Sequence, residues 1–424
     1  MKGILKSVIK EFHQRGVPDV KKRVLQIPEN VSMIISLIGA RRSGKTYLMY
    51  NVMKSLLQSG VAIQQLVYLN FEDERLNVET SDLDLILQSY SELYPDVELK
   101  NVYFFFDEIQ NITGWEKFVR RVYDTLTKKI YITGSNSKLL STEIATSLRG
   151  RTITYTVYPL SFREYLEFKE VDTDITTTQN KAKVIHYLHE FLYNGGFPET
   201  ISYDKELRLK ILQIYFNTMI YRDIVERYKV SEPLILKYFL KKMFANVGKP
   251  LSVNKIYKDL KSMNYKISNN YLYDYQEYCN TVFLSISIPK FDFSEIKQEK
   301  SDKKVYAIDT GLLSAIEFSM STNLGKLFEN MVLLELIKEN NEVFYYKDRY
   351  ECDFIVKKDN IYLPIQVSYS VENQDTDKRE IRGLIDACKK LGVNCGKIIT
   401  ADYSHTVENS GVSIEYVPVY QYFL

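Results

Sequence analysis

Short apolar runs alternate with helical patterns along the first third of the chain. Runs rich in β-branched and aromatic residues span 31–38, 65–71, 102–108 and 129–136. Continuous apolar runs of this length are typical of strands that are buried on both faces of a parallel sheet. Between the first two runs, apolar residues recur at helical spacing from Gly44 to about Gln58. Residues 1–160 therefore predict an α/β domain built on a parallel sheet.

The pattern changes along the rest of the chain and predicts three further domains. Helical spacing dominates residues 161–230. Residues 231–321 predict three helices followed by two strands, which is the order of elements in a winged helix. Residues 322–424 predict a helix followed by several strands, and hence a second α/β domain.

The residues between the first strand and the first helix fit the phosphate-loop pattern G-x-x-x-x-G-K-[ST] without a mismatch. Glycines let backbone N–H groups turn toward a phosphate, and the helix N-terminus adds partial positive charge. Lys45 is expected to reach the β- and γ-phosphates of ATP, and Thr46 to offer its hydroxyl to Mg²⁺. The predicted nucleotide contacts are Gly39, Ala40, Arg41, Arg42, Ser43, Gly44, Lys45, Thr46 and Tyr47. An ordinary glycine turn before a helix is the alternative.

The strand at 102–108 ends in two carboxylates, Asp107 and Glu108. The carboxyl ends of parallel strands meet at the sheet edge where ligands bind. Asp107 is suited to hold Mg²⁺ through water, and Glu108 is suited to orient and polarise an attacking water molecule. Together with the phosphate loop, the pair predicts ATP hydrolysis rather than binding alone.

Two further groups are candidates for contact with the γ-phosphate. Ser135 or Asn136, at the end of the fourth run, could hydrogen-bond the phosphate or the water, and a local turn is the alternative. Arg149 or Arg151 could act as an arginine finger at a subunit border, and a structural salt bridge is the alternative. The residues leave both choices open.

Composition narrows the classes of protein that remain. The net charge is only +2, so a role with nucleic acid must depend on a local patch of charge. The four cysteines have no C-x-x-C spacing, which argues against a zinc site or a disulfide framework and is consistent with a reducing cytoplasm. Neither a signal peptide nor a membrane-spanning apolar run is predicted. The 34 tyrosines are typical of packing and also offer stacking surfaces for bases.

The motifs resemble, in their order, those of archaeal and bacterial AAA-superfamily ATPases of the archaeal-ATPase type, which are related to signal-transduction ATPases. They are the phosphate loop, Phe-Asp-Glu, Ile-Thr-Gly-Ser, Leu-Arg-Gly-Arg and Pro-Leu-Ser-Phe-Arg-Glu-Tyr. The resemblance implies that 161–230 form a helical lid, that Pro198 lies near the nucleotide, and that Ser135 or Asn136 has the sensor 1 role of contacting the γ-phosphate or the attacking water. It also implies a winged helix over 231–321 and assembly into a homo-oligomer.

A winged helix would place the helix that starts near Ser268 in a major groove of DNA. Lysines of the wing would then meet phosphates; these are Lys297, Lys300, Lys303 and Lys304. The helix itself is rich in tyrosine and has no Arg or Lys. A winged helix that only packs against protein is therefore the alternative.

The last domain resembles the PD-(D/E)xK nuclease fold that is often fused to these ATPases. In that resemblance Glu329 and Asp353 match the first two acids, but Gln366 and Ser368 stand where Glu and Lys are expected. A neutral amide is a poor replacement for a carboxylate on Mg²⁺, and serine cannot supply the charge of lysine. We expect the nuclease fold to remain and its catalysis to be lost or strongly impaired.

Three functions remain. The first is a Mg²⁺-dependent ATPase that couples turnover to DNA binding or remodelling, in DNA processing, repair or mobile-element defence. The second is a nucleotide-dependent signalling switch that binds a protein partner. The third is an active DNA nuclease.

Overall fold

The computed structural model describes residues 1–29, 31–135, 148–316, 324–371 and 374–424. It divides into two compact units. The first contains residues 1–158 together with 281–283, and the second contains 159–280 and 284–424. The finer division into four domains stays a prediction.

The first unit alternates strands and helices, as the apolar pattern predicts. Its described elements are α1 (Lys2–Arg15), β1 (Ile34–Ile38), α2 (Lys45–Gln58), β2 (Leu66–Asn70), α3 (Asp84–Leu93), β3 (Tyr103–Asp107), α4 (Trp115–Thr125), β4 (Ile130–Gly134) and β5 (Thr152–Thr156).

These strands form one parallel sheet in the order β2-β3-β4-β1-β5. Strands β1, β3 and β4 are buried along their whole length, which explains why their residues are almost continuously apolar. The register pairs Asn70 with Asp107 and Ile38 with Gly134. The polar residues that follow β2, β3 and β4 and the glycine loop after β1 therefore meet at one edge of the sheet.

The second unit is larger and mixed. Its described helices and strands are α5 (Phe162–Phe168), α6 (Thr178–Asn194), α7 (Lys205–Thr218), which continues as a π-helix (Met219–Glu226), α8 (Pro233–Ala245), α9 (Val253–Ser262), α10 (Asn269–Thr281), β6 (Ser285–Ile288), α11 (Glu295–Lys300), β7 (Lys304–Ala307), α12 (Thr310–Ala315), α13 (Leu324–Lys338), β8 (Glu342–Lys347), β9 (Glu351–Lys358), β10 (Ile361–Ser368), α14 (Gln374–Leu391), β11 (Cys395–Thr400), β12 (His405–Asn409), β13 (Val412–Pro418) and α15 (Val419–Phe423).

The sheet of this unit has the order β12-β13-β11-β10-β9-β8. Strands β10, β11 and β13 run parallel, and antiparallel strands flank them on both sides. Helix α14 packs against β9, β10 and β11. The apolar core beneath it includes Cys352, Leu384 and Ile398. A separate α/β domain at the end of the chain is thus confirmed.

The predicted order of three helices and two strands is present between residues 231 and 310. Strands β6 and β7 pair antiparallel, with Ser285 opposite Ala307 and Ile288 opposite Lys304. The charged stretch between them contains the short helix α11. One wing lysine is placed wrongly by the prediction: Lys304 is fully buried, so it cannot meet a phosphate at the surface. Assignment of this region as a DNA-binding winged helix stays a prediction.

Among the helices that the structure describes, none combines the length and the apolar character needed to cross a bilayer.

Candidate nucleotide site

The loop between β1 and α2 requires glycine at two positions. Gly39 has a φ of 154°, and a Cβ at this residue would lie 2.1 Å from the carbonyl oxygen of Val157. Gly44 caps α2 in the left-handed conformation, with a φ of 99°. Both conformations are rarely adopted by residues with a side chain. The loop is therefore shaped by close backbone packing and ends directly at a helix N-terminus, where backbone N–H groups attract anions.

Lys45, the first residue of α2, is buried inside this loop and is only 4% exposed. Its ammonium donates hydrogen bonds to the carbonyl oxygens of Gly39 and Ala40, at 3.1 and 3.0 Å. It also lies 3.5 Å from Oε1 of Glu108. The loop and the second acid of β3 are thus joined by one buried positive charge, at the place where a phosphate loop holds the terminal phosphates.

Asp107 accepts hydrogen bonds from three hydroxyl groups. Thr46 and Tyr68 donate to its Oδ2, at 2.8 and 2.9 Å, and Thr133 donates to its Oδ1. Burial raises the pKa of Asp107, as does the neighbouring charge of Glu108, and the three hydroxyls only partly offset this. Because a hydroxyl and a carboxylate lie side by side, these residues fit the Mg²⁺ ion that the phosphate loop implies.

Glu108 is held with a left-handed backbone, at a φ of 51°. Its N–H donates to the Thr133 hydroxyl at 2.8 Å, and its Oε2 accepts from the Gln110 side chain. Burial by itself raises the pKa of Glu108, but the charge of Lys45 and the Gln110 hydrogen bond outweigh it, so the pKa is lowered overall. The carboxyl is therefore ionised at neutral pH, as a group that polarises water must be.

Other residues that support the site were not identified as functional from the sequence. Tyr68 and Thr133 hold Asp107, as described above. The guanidinium of Arg23 donates to the carbonyl oxygen of Ser43, at 3.0 Å, and to that of Tyr158, at 2.9 Å. Arg23 thus fastens the phosphate loop to the segment that follows β5. The sequence offers one signal for Thr133, its position near the end of β4; Tyr68 lies in the middle of β2, and Arg23 lies well before β1.

We expect Tyr68→Phe to raise the Mg²⁺ concentration needed for half-maximal ATP turnover roughly tenfold, because one charged hydrogen bond to Asp107 is lost. Turnover at saturating Mg²⁺ should change little. The measurement is the hydrolysis rate as Mg²⁺ is titrated. Tyr90→Phe is the matched control, since Tyr90 is also buried but donates to the carbonyl of Gln64. Identical Mg²⁺ curves for wild type and Tyr68→Phe would remove Tyr68 from the site.

The remaining predicted nucleotide contacts differ in how exposed their side chains are. Ala40 and Ser43 are buried, whereas Tyr47 is 58% exposed at the start of α2. Arg42 has a φ of 63° within the loop. The Arg41 guanidinium lies 2.7 Å from Oε1 of Glu72, the residue two positions after β2. This ion pair ties a carboxylate that follows β2 to the phosphate loop.

The candidates for γ-phosphate contact remain predictions. Asn136 lies outside the described residues, and the neighbouring Ser135 is buried at the end of β4. Arg151 donates to Asp124 at 2.8 Å and lies over the Tyr123 ring. This salt bridge is the alternative to an arginine finger that was given above for this residue. Arg149 is exposed and has a φ of 50°. Pro198 begins a short 3-10 turn in the second unit.

The four residues of the nuclease resemblance lie in the second unit. The backbone N–H of Asp353 donates to Oε1 of Gln366 at 3.1 Å. The carboxylate Oδ2 of Asp353 accepts from the N–H of Val367 at 3.1 Å. The Gln366 amide also donates to Glu380. The Ser368 hydroxyl donates to the carbonyl of Ser370 at 3.0 Å, and so bonds to its own chain. Glu329 is on α13 and accepts from the Tyr306 hydroxyl at 2.7 Å.

The parallel sheet, the phosphate loop after β1 and the acidic pair at the end of β3 define a phosphate-loop ATPase fold of the AAA type. In agreement, residues 31–166 match the family described as AAA domain. Residues 185–324 and 324–422 match two domains of unknown function, DUF8612 and DUF4143. The resemblance to AAA ATPases that the motifs indicate is thereby confirmed.

The chain is 38% identical over 416 residues to the uncharacterized protein MJ1544 of Methanocaldococcus jannaschii, covering 94% of this chain and 89% of that protein. It is 30% identical over 393 residues to an uncharacterized protein of Haemophilus influenzae, covering 92% and 94%. The chain belongs to the family of these two proteins. The Walker-type ATPase paby2304 of Pyrococcus abyssi aligns with 73% of this chain and 94% of its own, at 14% identity and a TM-score of 0.42. A likeness that low carries no argument about function.

Proposed function

We propose that this protein hydrolyses ATP in a Mg²⁺-dependent reaction. The observation that supports this best is the convergence of Lys45, Thr46, Asp107 and Glu108 on the glycine loop, joined by contacts of 2.8 to 3.5 Å. Hydrolysis requires all four side chains together, whereas nucleotide binding alone does not require a group that acts on the attacking water. The ionised, buried Glu108 is the group that distinguishes the two activities.

In this proposal the backbone N–H groups of the loop and the start of α2 bind the phosphates, and Lys45 neutralises charge on the terminal ones. Thr46 and Asp107 would hold Mg²⁺, which supplies further charge neutralisation when bound. Tyr68 and Thr133 orient Asp107. Glu108 accepts a proton from, or polarises, the water that attacks the γ-phosphorus, and Gln110 orients its carboxylate.

Release of inorganic phosphate from ATP tests this proposal. We expect steady phosphate release in Mg²⁺ that stops when EDTA is added. The reason is that Asp107 and Thr46 act on the nucleotide through the Mg²⁺ ion that they would hold. Phosphate release that is absent in Mg²⁺, at any ATP concentration and with or without DNA, would overturn it.

A second proposal concerns nucleic acid, and it is supported by one surface of the second unit. Exposed lysines and exposed tyrosines occur together on α9, in the loop after it and at the start of α10. We call the following group the lysine–tyrosine surface: Lys255, Lys258, Lys261, Lys266, Tyr265, Tyr271 and Tyr273. The Asn269 side chain donates to Oδ1 of Asn254 at 2.7 Å and ties the two helices together at this surface.

The chemistry of this surface fits a nucleic-acid strand. Ammonium groups attract phosphates, and exposed tyrosine rings stack on bases of any sequence. Asp259, on the same helix as three of the lysines, pairs with Lys242 at 3.3 Å, so its charge is offset. The predicted DNA-facing helix α10 has no Arg or Lys, and the exposed lysines of the neighbouring helix α9 would supply positive charge. We propose that ATP turnover is coupled to binding of DNA here.

Fluorescence anisotropy with labelled single-stranded and duplex DNA, repeated across salt concentrations, tests the second proposal. The triple variant Lys255→Ala, Lys258→Ala, Lys261→Ala should bind more weakly, and its salt slope should fall by roughly two to three. The control is the double variant Lys205→Ala, Lys210→Ala on α7, whose lysines are also exposed but belong to no predicted DNA contact. Absence of salt-sensitive DNA binding by the wild type would overturn the proposal and favour a switch that binds a protein partner.

A further inference from the structure

One lysine of the second unit is completely buried and is surrounded by acids. Lys304, the first residue of β7, has 0% exposure. Its ammonium lies 2.8 Å from Oε1 of Glu351, 3.4 Å from Oδ1 of Asp353 and 3.5 Å from Oε1 of Glu329. It also lies 5.6 Å from the centre of the Tyr345 ring. A buried charge needs such partners, because removing it from water is costly.

The three acids come from two elements of the terminal α/β domain. Glu351 and Asp353 are on β9, and Glu329 is on α13. Two of them, Glu329 and Asp353, are the acids that the nuclease resemblance assigns to Mg²⁺. The lysine comes from the preceding hairpin, and not from β10, the strand on which that fold has its own lysine. The positions of the expected Glu and Lys are occupied by Gln366 and Ser368.

A divalent metal does not fit this arrangement. Mg²⁺ requires oxygen ligands at about 2.0–2.1 Å in octahedral geometry, whereas the acids are spaced around an ammonium at 2.8 to 3.5 Å. Within the described part of the chain, no three acidic, histidine or cysteine side chains are arranged to hold a metal ion. A metal could enter only if Lys304 left, and its whole side chain is buried.

The three surrounding carboxylates favour the charged form of Lys304. Burial by itself lowers the pKa of Lys304, but the charges of Glu329, Asp353 and Glu351 raise it well above the ordinary value. Burial, together with the charge of Asp353, raises the pKa of Glu329 to about 7. The Tyr306 hydroxyl, also on β7, donates to Glu329 at 2.7 Å. Two side chains of β7 therefore fasten the hairpin to the acids.

We infer that the ammonium of Lys304 takes the place of the divalent cation in the former nuclease site, as an internal counter-ion that joins the β6–β7 hairpin to the terminal domain. The terminal domain then binds no Mg²⁺ at these acids. It serves as a scaffold that holds the region 231–310 in place. The inference is independent of the proposed ATP hydrolysis, which takes place in the first unit.

The test uses the full chain with Asp107→Asn, which removes the metal ligand of the nucleotide site. In this background, Lys304→Met should lower the apparent unfolding temperature by roughly 10 °C, since it leaves buried acids without their cation. Millimolar Mn²⁺ should recover part of that loss, and it should not shift the chain that retains Lys304. Lys303→Met is the matched control, because Lys303 is the adjacent lysine and pairs with the exposed Glu299.

Any one of four results would overturn the inference. The first is equal stability of Lys304→Met and Lys303→Met. The second is a Lys304→Met chain that folds but gains nothing from Mn²⁺, which would make Lys304 an ordinary ion-pair partner. The third is calorimetric evidence that the chain with Lys304 intact binds Mn²⁺ and that Asp353→Asn abolishes this binding. The calorimetric measurement tests the inference even if Lys304→Met does not fold, because the inference requires that the chain with Lys304 binds no Mn²⁺ at these acids. DNA cleavage lost in both Asp353→Asn and Lys304→Arg would identify Lys304 as a nuclease lysine instead.

Discussion

Glutamine at position 108 is expected to lower the turnover number for ATP by roughly 10²- to 10⁴-fold, the usual contribution of a general base. The substitution keeps the size and the Gln110 contact of the side chain but removes its negative charge. Neither the loop glycines nor the Thr46–Asp107 pair is touched, so ATP should still bind. The measurement is single-turnover hydrolysis beside equilibrium ATP binding.

The control for Glu108→Gln is Glu116→Gln, which changes a carboxylate in the first turn of α4, outside the site. It should hydrolyse ATP at the wild-type rate. If Glu108→Gln kept more than a tenth of the wild-type turnover, Glu108 would not be the group that prepares the water. If it lost ATP binding instead, its role would be to hold Lys45.

Alanine in place of Lys45 is expected to weaken ATP binding roughly 10- to 150-fold, because charged hydrogen bonds contribute about 1.5–3 kcal/mol. The loss has a second consequence. Lys45 is the largest influence that lowers the pKa of Glu108, so its removal should raise that pKa. Glu108 would then be protonated up to a higher pH, and the hydrolysis that remains should require more alkaline conditions. Nucleotide titration and a pH–rate profile measure the two effects.

Lys54→Ala is the matched control for Lys45→Ala. Lys54 is on the same helix, but it pairs with Asp19 at the surface. Wild-type affinity is expected for this variant. Unchanged ATP affinity in Lys45→Ala would show that the loop does not hold a triphosphate through its lysine. Weakened binding without a shift of the pH profile would show that Lys45 and Glu108 act separately.

The sequence was sufficient to predict those parts of the fold and site whose residues lie close together along the chain. The phosphate loop, the acids at the end of β3 and the parallel character of the first sheet follow from motifs that are contiguous along the chain, whereas the order of its strands does not. Buried parallel strands must be apolar, and their ends must meet at one edge of the sheet. For this reason Lys45, Thr46, Asp107 and Glu108 could be placed together before any coordinates were known.

The residues that were missed are those whose partners lie far away along the chain. Tyr68 precedes Asp107 by 39 positions, and Lys304 precedes Asp353 by 49. A tyrosine within an apolar strand is typical of core packing, and a lysine in a charged stretch is typical of a solvated wing. Nothing in the local pattern shows that either side chain turns toward a carboxylate. Their roles depend on sheet register and on the packing of one element against another.

The account depends most on one binding property of the wild-type chain, and a titration with a fluorescent ATP analogue measures it directly. In Mg²⁺ we expect saturable binding that EDTA weakens strongly, that Lys45→Ala reduces and that Glu108→Gln preserves. Nucleotide binding that is absent, or that is the same in Mg²⁺, in EDTA and in Lys45→Ala, would contradict the account.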